Sequence, residues 1–254
     1  MIKISSISKR YHKKIPVIED VSFNIHENGI SCLLGKNGAG KSTIIEIVCQ
    51  SLKPDSGEIF VCDIKSSPDK KYEINKLMGV VTQHDYLINE LTGYEYMFFR
   101  GLVYGVPKHE IDLRINELVA YFFDDITDIH KMISCYSQGN RMKVRIISAF
   151  LSKPKILILD EPFANLDSIS AEKLCALVKQ FAATKLRCVL ISSHDLLYVN
   201  KIATDILVLD NKNIVFNGTK DEFTKNGSKQ IDQSFRETLQ LDDPSPKQLS
   251  WLLK

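Results

Sequence analysis

A glycine-rich stretch near residue 40 constrains the fold of this 254-residue chain more than any other feature. Its residues are Gly35, Lys36, Asn37, Gly38, Ala39, Gly40, Lys41, Ser42 and Thr43, which fit the pattern G-x-x-x-x-G-K-[ST]. An apolar run at residues 30–34 precedes it, and a second at residues 44–48 follows it. This context predicts a strand, a phosphate-binding loop and a helix. A glycine-rich turn that binds nothing is the alternative.

The residue types in this loop suit a phosphate group. Glycines lack a Cβ, so backbone N–H groups can turn inward around an anion, and the following helix points its positive dipole end at the same anion. Lys41 is predicted to reach the β- and γ-phosphates of a nucleotide, and the Ser42 hydroxyl is predicted to ligate Mg²⁺.

Two carboxylates follow a later apolar run. Residues 156–159 are continuously apolar, as a parallel strand buried on both faces requires, and Asp160 and Glu161 come next. We predict that Asp160 holds Mg²⁺ through water and that Glu161 orients or deprotonates an attacking water. Paired acids at a strand end are common, but here Pro162 and an Asn-Leu-Asp segment at residues 165–167 accompany them.

A histidine follows the next apolar run, at residues 188–192. A lone histidine is more often structural than catalytic. His194, however, lies just beyond the end of a predicted buried strand, where a sensor of the γ-phosphate belongs.

Composition and charge exclude other classes. The longest apolar runs stop well short of the ~18 residues that a membrane-spanning helix needs. With 33 basic and 31 acidic residues the net charge is +2, so we expect no nucleic-acid partner. None of the six cysteines forms a C-x-x-C pair and several lie in apolar runs, which predicts buried thiols in a cytoplasmic protein.

The segment between the two motifs has a helical pattern. Thr92 and Glu95 predict a capping box, and residues 111–122 repeat apolar side chains on one helical face. The first of these helices is rich in aromatic residues, namely Tyr94, Tyr96, Phe98, Phe99 and Tyr104. We predict a helical subdomain at residues 84–137. Its aromatics either pack inside it or leave some exposed as a docking patch.

The remaining pattern indicates an α/β fold. Residues 2–8 and 17–25 alternate apolar and polar side chains, as half-buried antiparallel strands do. We predict a mostly parallel core sheet with these N-terminal strands as its antiparallel edge. The domain is expected to span residues 1–225 with the helical subdomain inserted, and residues 226–254 are expected to form a tail with a short helix or loose order.

With these motifs in place, residues 1–225 resemble the ATP-binding subunit of an ABC transporter, a phosphate-loop NTPase of ABC type. The resemblance implies ATP and Mg²⁺ as cofactors. It also implies that Tyr11 stacks on adenine and that Gln83 contacts Mg²⁺ or water and senses a membrane partner. Glu161 matches the catalytic glutamate, residues 165–167 the D-loop, and His194 the switch histidine.

Residues 136–140 occupy the place of the family signature, usually written L-S-G-G-Q. Ser137 and Gly139 are kept, whereas Gln138 replaces a glycine and Asn140 replaces a glutamine. A hydroxyl and a helix N-terminus still allow Ser137 and Gly139 to bind the γ-phosphate held by a partner subunit. A signature of this kind is similar to that of ABC-2 type exporter ATPases.

The resemblance implies two ATPase subunits that enclose two ATP molecules head to tail and drive export through a separate membrane-spanning subunit. The chain would lie on the inner face of the cell membrane through that partner. A homodimer is preferred, and the altered signature leaves a heterodimer with a catalytically weak member open. The rival is a soluble ABC ATPase that acts on a non-membrane assembly, of the iron–sulfur type. A DNA-repair ATPase is disfavoured because no heptads or cysteine pairs separate Lys41 from Asp160.

Overall fold

The computed structural model describes residues 1–11, 15–84 and 86–241. Its strands are β1 (Ile2–Tyr11), β2 (Ile15–Ile25), β3 (Ile30–Gly35), β4 (Ser56–Val61), β5 (Ile64–Lys65), β6 (Met78–Val81), β7 (Ile156–Asp160), β8 (Cys188–Ser192), β9 (Asp205–Asp210) and β10 (Asn213–Thr219). Its α-helices are α1 (Lys41–Val48), α2 (Lys71–Asn75), α3 (Gly93–Val103), α4 (Lys108–Phe122), α5 (Gln138–Phe150), α6 (Ser168–Ala182), α7 (Leu196–Ile202), α8 (Lys220–Phe223) and α9 (Ile231–Thr238). Two short 3₁₀ helices, Ile126–His130 and Ile133–Cys135, lie between α4 and α5.

The larger of two sheets is mostly parallel, as predicted. Its order is β10-β9-β3-β8-β7-β6, and only β10 pairs antiparallel with its neighbour. β3, β7 and β8 are buried along their whole length, because both faces of this sheet are covered. The carboxyl ends of these three parallel strands therefore meet at one edge, where the phosphate loop begins.

The N-terminal strands form a sheet of their own, so the expectation that they edge the core sheet is wrong. This second sheet has the order β2-β1-β4-β5 and is antiparallel throughout. β1 buries Ile2, Ile4 and Ile7, and this apolar face needs an apolar surface to cover it. α1 supplies that surface, since its side chains share one hydrophobic cluster with both sheets. The antiparallel edge of the core sheet is instead β10.

The helices between β6 and β7 pack on the opposite side of the core sheet. α3, α4 and α5 contribute to one large hydrophobic cluster with α6 and α7. The capping box is confirmed: the Thr92 hydroxyl accepts a hydrogen bond from the Glu95 N–H, and the Glu95 carboxylate accepts one from the Thr92 N–H. Of the five aromatics, Tyr96 is buried, Phe99 is exposed and the other three are half-buried.

Three further sequence expectations concern the C-terminal tail, the cysteines and membrane-spanning helices. α9 lies in the predicted tail, of which residues 242–254 lie outside the described part of the chain. Four cysteines are buried, Cys62 is half-buried, and Cys135 is exposed on a surface 3₁₀ helix, contrary to the prediction of buried thiols. In the described residues no helix combines the length and apolar character needed to cross a membrane.

Candidate active site

The glycine-rich loop connects β3 to α1, as predicted. Gly38 has φ 79° and Gly40 has φ 109°, a backbone region that L side chains avoid. A Cβ on Gly40 would also approach Ile18 Cγ2 to 3.0 Å. The Ala39 N–H donates to the Lys36 carbonyl at 3.1 Å and closes the loop. Glycine at position 40 is therefore required both by the backbone conformation and by the close approach of β2.

The Lys41 side chain is buried inside this loop. Its Nζ donates to the carbonyl oxygens of Gly35 at 2.9 Å and Lys36 at 3.3 Å. It also lies 3.7 Å from Glu161 Oε1. The loop thus holds its own ammonium group next to the carboxylate that the sequence predicts as the catalytic base.

Glu161 is fixed both through its backbone and through its carboxylate. It follows β7 with φ 49°, an uncommon backbone conformation for a residue with a side chain. Its N–H donates to the Ser192 carbonyl at 3.1 Å. Its Oε2 lies 2.8 Å from His194 Nδ1 and accepts the His194 N–H at 3.3 Å. The predicted base and the predicted γ-phosphate sensor are therefore in direct contact.

Sequence reasoning missed Ser192. This residue is fully buried, and its hydroxyl donates to Asp160 Oδ1 while it accepts the Glu161 N–H at 3.1 Å. The available signal was a serine at the end of an otherwise apolar run, because a buried hydroxyl needs a hydrogen-bond partner.

The predicted Mg²⁺ ligands provide the donor type that this ion prefers. Ser42 Oγ donates to Gln83 Oε1 at 3.3 Å, and the Asp160 carboxylate is buried at the end of β7. Mg²⁺ binds oxygen ligands and is usually held by one or two carboxylates together with substrate phosphates. Among the described residues no cluster of three or more His, Cys, Asp or Glu side chains could hold a metal alone. The donor set therefore fits Mg²⁺ that arrives with a nucleotide.

One open cleft brings most of these side chains together. It has a volume of about 420 Å³ and is lined by Val17, Asn37, Gly38, Gly40, Lys41, Ser42, Thr43, Gln83, Glu161, Ala164 and His194. Tyr11 lies at the exposed end of β1 and, in the part of the chain that the structure describes, does not line this cleft. Ser137 and Gly139 are also outside the cleft of their own chain.

The predicted signature forms the start of α5. Ser137 is the N-cap residue, and its hydroxyl accepts the Asn140 N–H at 3.2 Å. Gly139 lies against the loop after β7, since a Cβ at this position would come within 3.0 Å of the Asn165 carbonyl oxygen. The signature therefore packs on the predicted D-loop.

An ion pair also joins α5 to the D-loop. Lys143 Nζ lies 3.6 Å from Asp167 Oδ2. Hydrogen bonds from the Ser170 N–H and hydroxyl lower the pKa of Asp167, and Lys143 lowers it further. Asp167 is thus kept ionised while it caps α6.

A phosphate loop between a buried strand and a helix, with two carboxylates at the end of a parallel strand in the same sheet, defines a phosphate-loop NTPase. A protein-family model described as "ABC transporter" matches residues 18–164, more than half of the chain, and the chain belongs to this family. It is an ATP-binding subunit of an ABC transporter, and it is an ATPase that uses ATP with Mg²⁺.

Known proteins similar to this chain include transporter ATP-binding proteins. It is 29% identical to methionine import ATP-binding protein MetN 1 of Staphylococcus aureus (strain MRSA252), over 97% of this chain and 74% of the relative. It is 32% identical to energy-coupling factor transporter ATP-binding protein EcfA2 of Clostridioides difficile (strain 630), over 90% and 82%. A solved dimeric structure of a bacterial ABC transporter cassette superposes with a TM-score of 0.80 at 25% identity, over 86% of this chain and 98% of the cassette. The expected similarity to ABC-2 type exporters is not confirmed by these relatives.

Proposed function

We propose that this chain hydrolyses ATP in the cleft around Lys41 and transmits the resulting conformational change to a separate membrane-spanning subunit. The observation that supports this function best is that Lys41, Ser42, Gln83, Glu161 and His194 line one cleft. The proposal treats residues 1–225 as the ATPase domain, with residues 84–137 as its helical subdomain and residues 226–254 as a tail.

Each side chain has a proposed role. The loop N–H groups and Lys41 bind the β- and γ-phosphates, and Ser42, Gln83 and Asp160 hold Mg²⁺. Bound Mg²⁺ neutralises charge on the β- and γ-phosphate oxygens. Tyr11, at the exposed end of β1, stacks on the adenine.

The contact between Lys41 and Glu161 suggests how binding prepares hydrolysis. A triphosphate carries more negative charge than one carboxylate, so in this proposal nucleotide binding draws the Lys41 ammonium from Glu161 towards the phosphates. Glu161 then accepts a proton from water as the water attacks the γ-phosphate in line. His194 keeps Glu161 oriented through the 2.8 Å contact and senses the γ-phosphate.

A second ATPase subunit completes the site. Ser137 and Gly139 lie outside the cleft of their own chain, so we propose that they bind the γ-phosphate held by a partner subunit. The dimeric cassette that superposes on this chain supports such a pairing. A homodimer is preferred, and a heterodimer is the alternative because Gln138 and Asn140 depart from the usual signature.

A groove next to Gln83 is the proposed docking site for the membrane subunit. It has a volume of about 220 Å³. Side chains from the segment after β6, from α3 and from α5 line it, including Thr82, His84, Tyr86, Tyr96, Arg100, Tyr104 and Arg145. Phe99 does not line it, so only part of the aromatic set belongs to the groove. We propose that a cytoplasmic helix of the membrane subunit enters here.

Export was expected from the signature, but the relatives do not support it, and one of them is named for methionine import. Our proposal is therefore ATP-driven transport, with the cargo and its direction determined by the membrane subunit. The rival function, a soluble ABC ATPase that acts on a non-membrane assembly, predicts a different partner for the same groove.

The test begins with the open reading frames next to the gene for this chain: any multi-span membrane protein found there is reconstituted with the chain. We expect ATP hydrolysis to rise on reconstitution in vesicles. Tyr86→Ala should abolish that rise and leave hydrolysis by the isolated chain intact. Tyr72→Ala is the matched control, because Tyr72 is similarly exposed, on α2, and does not line the groove. Stimulation by a non-membrane assembly instead would favour the rival function.

A further inference from the structure

The end of β8 forms the support on which both predicted catalytic carboxylates rest. Ser192 lies directly opposite Asp160 in the pairing of β7 with β8. Its hydroxyl donates to Asp160 Oδ1 and accepts the Glu161 N–H at 3.1 Å, and its carbonyl accepts the same N–H. A single residue thus contacts the proposed metal ligand and fixes the backbone of the proposed base.

Packing alone does not explain a serine at this position. Ser192 has no exposed surface, and the four residues before it in β8 are apolar and buried. A hydroxyl in such a place is unfavourable unless it is hydrogen-bonded, and here the acceptor is a carboxylate, which makes the bond charge-assisted and strong. The hydroxyl therefore has a specific partner in Asp160.

The bond from Ser192 makes the two Asp160 oxygens different. Oδ1 accepts the hydroxyl, whereas no side chain or N–H of the described residues donates to Oδ2. Rotation about the Cβ–Cγ bond by less than a half turn would break the bond to Ser192, so the hydroxyl fixes the plane of the carboxylate and the direction in which its second oxygen faces Mg²⁺ or its bound water. Partners of this kind tune metal ligands by orienting them.

We propose that Ser192 is a positioning residue, which orients the Asp160 carboxylate for Mg²⁺ and holds Glu161 in its left-handed conformation. This inference rests on the proposed nucleotide site but adds a requirement to it: metal affinity depends on a hydroxyl that touches neither the metal nor the nucleotide.

The experiment measures metal binding without hydrolysis. Mn²⁺ is titrated into the full chain saturated with a non-hydrolysable ATP analogue, and free Mn²⁺ is followed by electron paramagnetic resonance. The variants are Ser192→Ala, which removes the hydroxyl, Ser192→Cys, which replaces it with a slightly larger and weaker donor, and Ser192→Thr, which keeps it. Ser31→Ala is the matched control, because Ser31 is also a buried serine of the core sheet, on β3.

We expect Ser192→Ala and Ser192→Cys to weaken Mn²⁺ binding by about 10-fold or more. Ser192→Thr should restore affinity close to that of the wild type, Ser31→Ala should match the wild type, and binding of the analogue without metal should be equal in all variants. Circular dichroism identifies any variant that fails to fold. If either Ser192→Ala or Ser192→Cys fails to fold, the Mn²⁺ affinity of the other tests the inference.

Two results would overturn the inference while the proposed site stands. One is wild-type Mn²⁺ affinity in folded Ser192→Ala or Ser192→Cys. The other is an equal loss of analogue binding without metal, which would mean that the hydroxyl supports the loop rather than Asp160. If the wild-type chain shows no metal-dependent nucleotide binding, the proposed function fails and this inference fails with it.

Discussion

The phosphate-loop cleft and the signature differ in how completely one chain builds them. In the cleft, Glu161 contacts both Lys41 and His194, and Ser192 hydrogen-bonds to the Asp160 carboxylate and to the Glu161 N–H from the neighbouring strand. The signature, residues 136–140, contains no charged side chain of its own. Its Ser137 hydroxyl caps its own helix, and Gly139 packs on the loop after β7. This contrast supports our proposal that the first region binds the nucleotide of its own chain and that the second binds the nucleotide of a partner chain.

This difference has a consequence for mutations. Changes in the cleft should impair nucleotide binding or chemistry in a single chain, whereas changes in the signature should leave nucleotide binding by a single chain intact and impair what two chains do together. The following variants separate these two outcomes.

The largest effect is expected for Glu161→Gln. The amide keeps the size of the side chain but removes the base, so steady-state hydrolysis should fall about 10²- to 10⁴-fold while ATP binding persists. Glu172→Gln is the matched control. Glu172 is a surface residue that forms an ion pair with Lys201, and both residues are far in sequence from the phosphate loop. Steady-state hydrolysis at the wild-type rate in Glu161→Gln would show that Glu161 is not the base.

Lys41→Ala should weaken ATP binding by about 100-fold, because it removes the charged donor to the phosphates. The helix should survive, since the other buried residues of α1 still pack between the two sheets. Nucleotide titration, with circular dichroism as a folding check, measures both. Lys179→Ala on the exposed surface of α6 serves as the control. Unchanged ATP affinity in folded Lys41→Ala would refute the assignment of the cleft.

The smallest effect is expected for Ser137→Ala. Loss of the N-cap of α5 should lower the free energy of unfolding by about 1 kcal/mol. Thr219→Ala removes the N-cap of α8 by the same chemistry at a site outside the signature. Thermal unfolding should show similar losses for both variants, but only Ser137→Ala should impair ATP-dependent association. Equal association in the two variants would mean that Ser137 acts only as a cap.

Local features of this fold could be predicted from the sequence because their causes are local. The phosphate loop has its three glycines within residues 35–40, and the capping box at Thr92 needs only two residues three apart. The buried strand before Asp160 follows from a continuous apolar run. Each of these patterns is complete within a few residues.

The features that could not be predicted depend on contacts between distant segments. Alternation in β1 indicates that one face is buried but not that α1 covers it, and so the separate antiparallel sheet was missed. Ser192 meets Asp160 across 32 positions, and the contact of Lys41 with Glu161 joins α1 to the end of β7. The register between neighbouring parallel strands determines such pairs, and no spacing in the sequence reports that register.

The most direct test of the account is the mass of Glu161→Gln in solution, with and without ATP and Mg²⁺, by analytical ultracentrifugation. This variant binds ATP but hydrolyses it slowly, so a closed pair should persist. The account predicts a monomer without nucleotide, a dimer with ATP, and a monomer again when Ser137→Ala is added to Glu161→Gln. A Glu161→Gln chain that is saturated with ATP and still sediments as a monomer, alone and with candidate ATPase partners and the membrane subunit, would contradict the claim that the signature of one subunit completes the cleft of another.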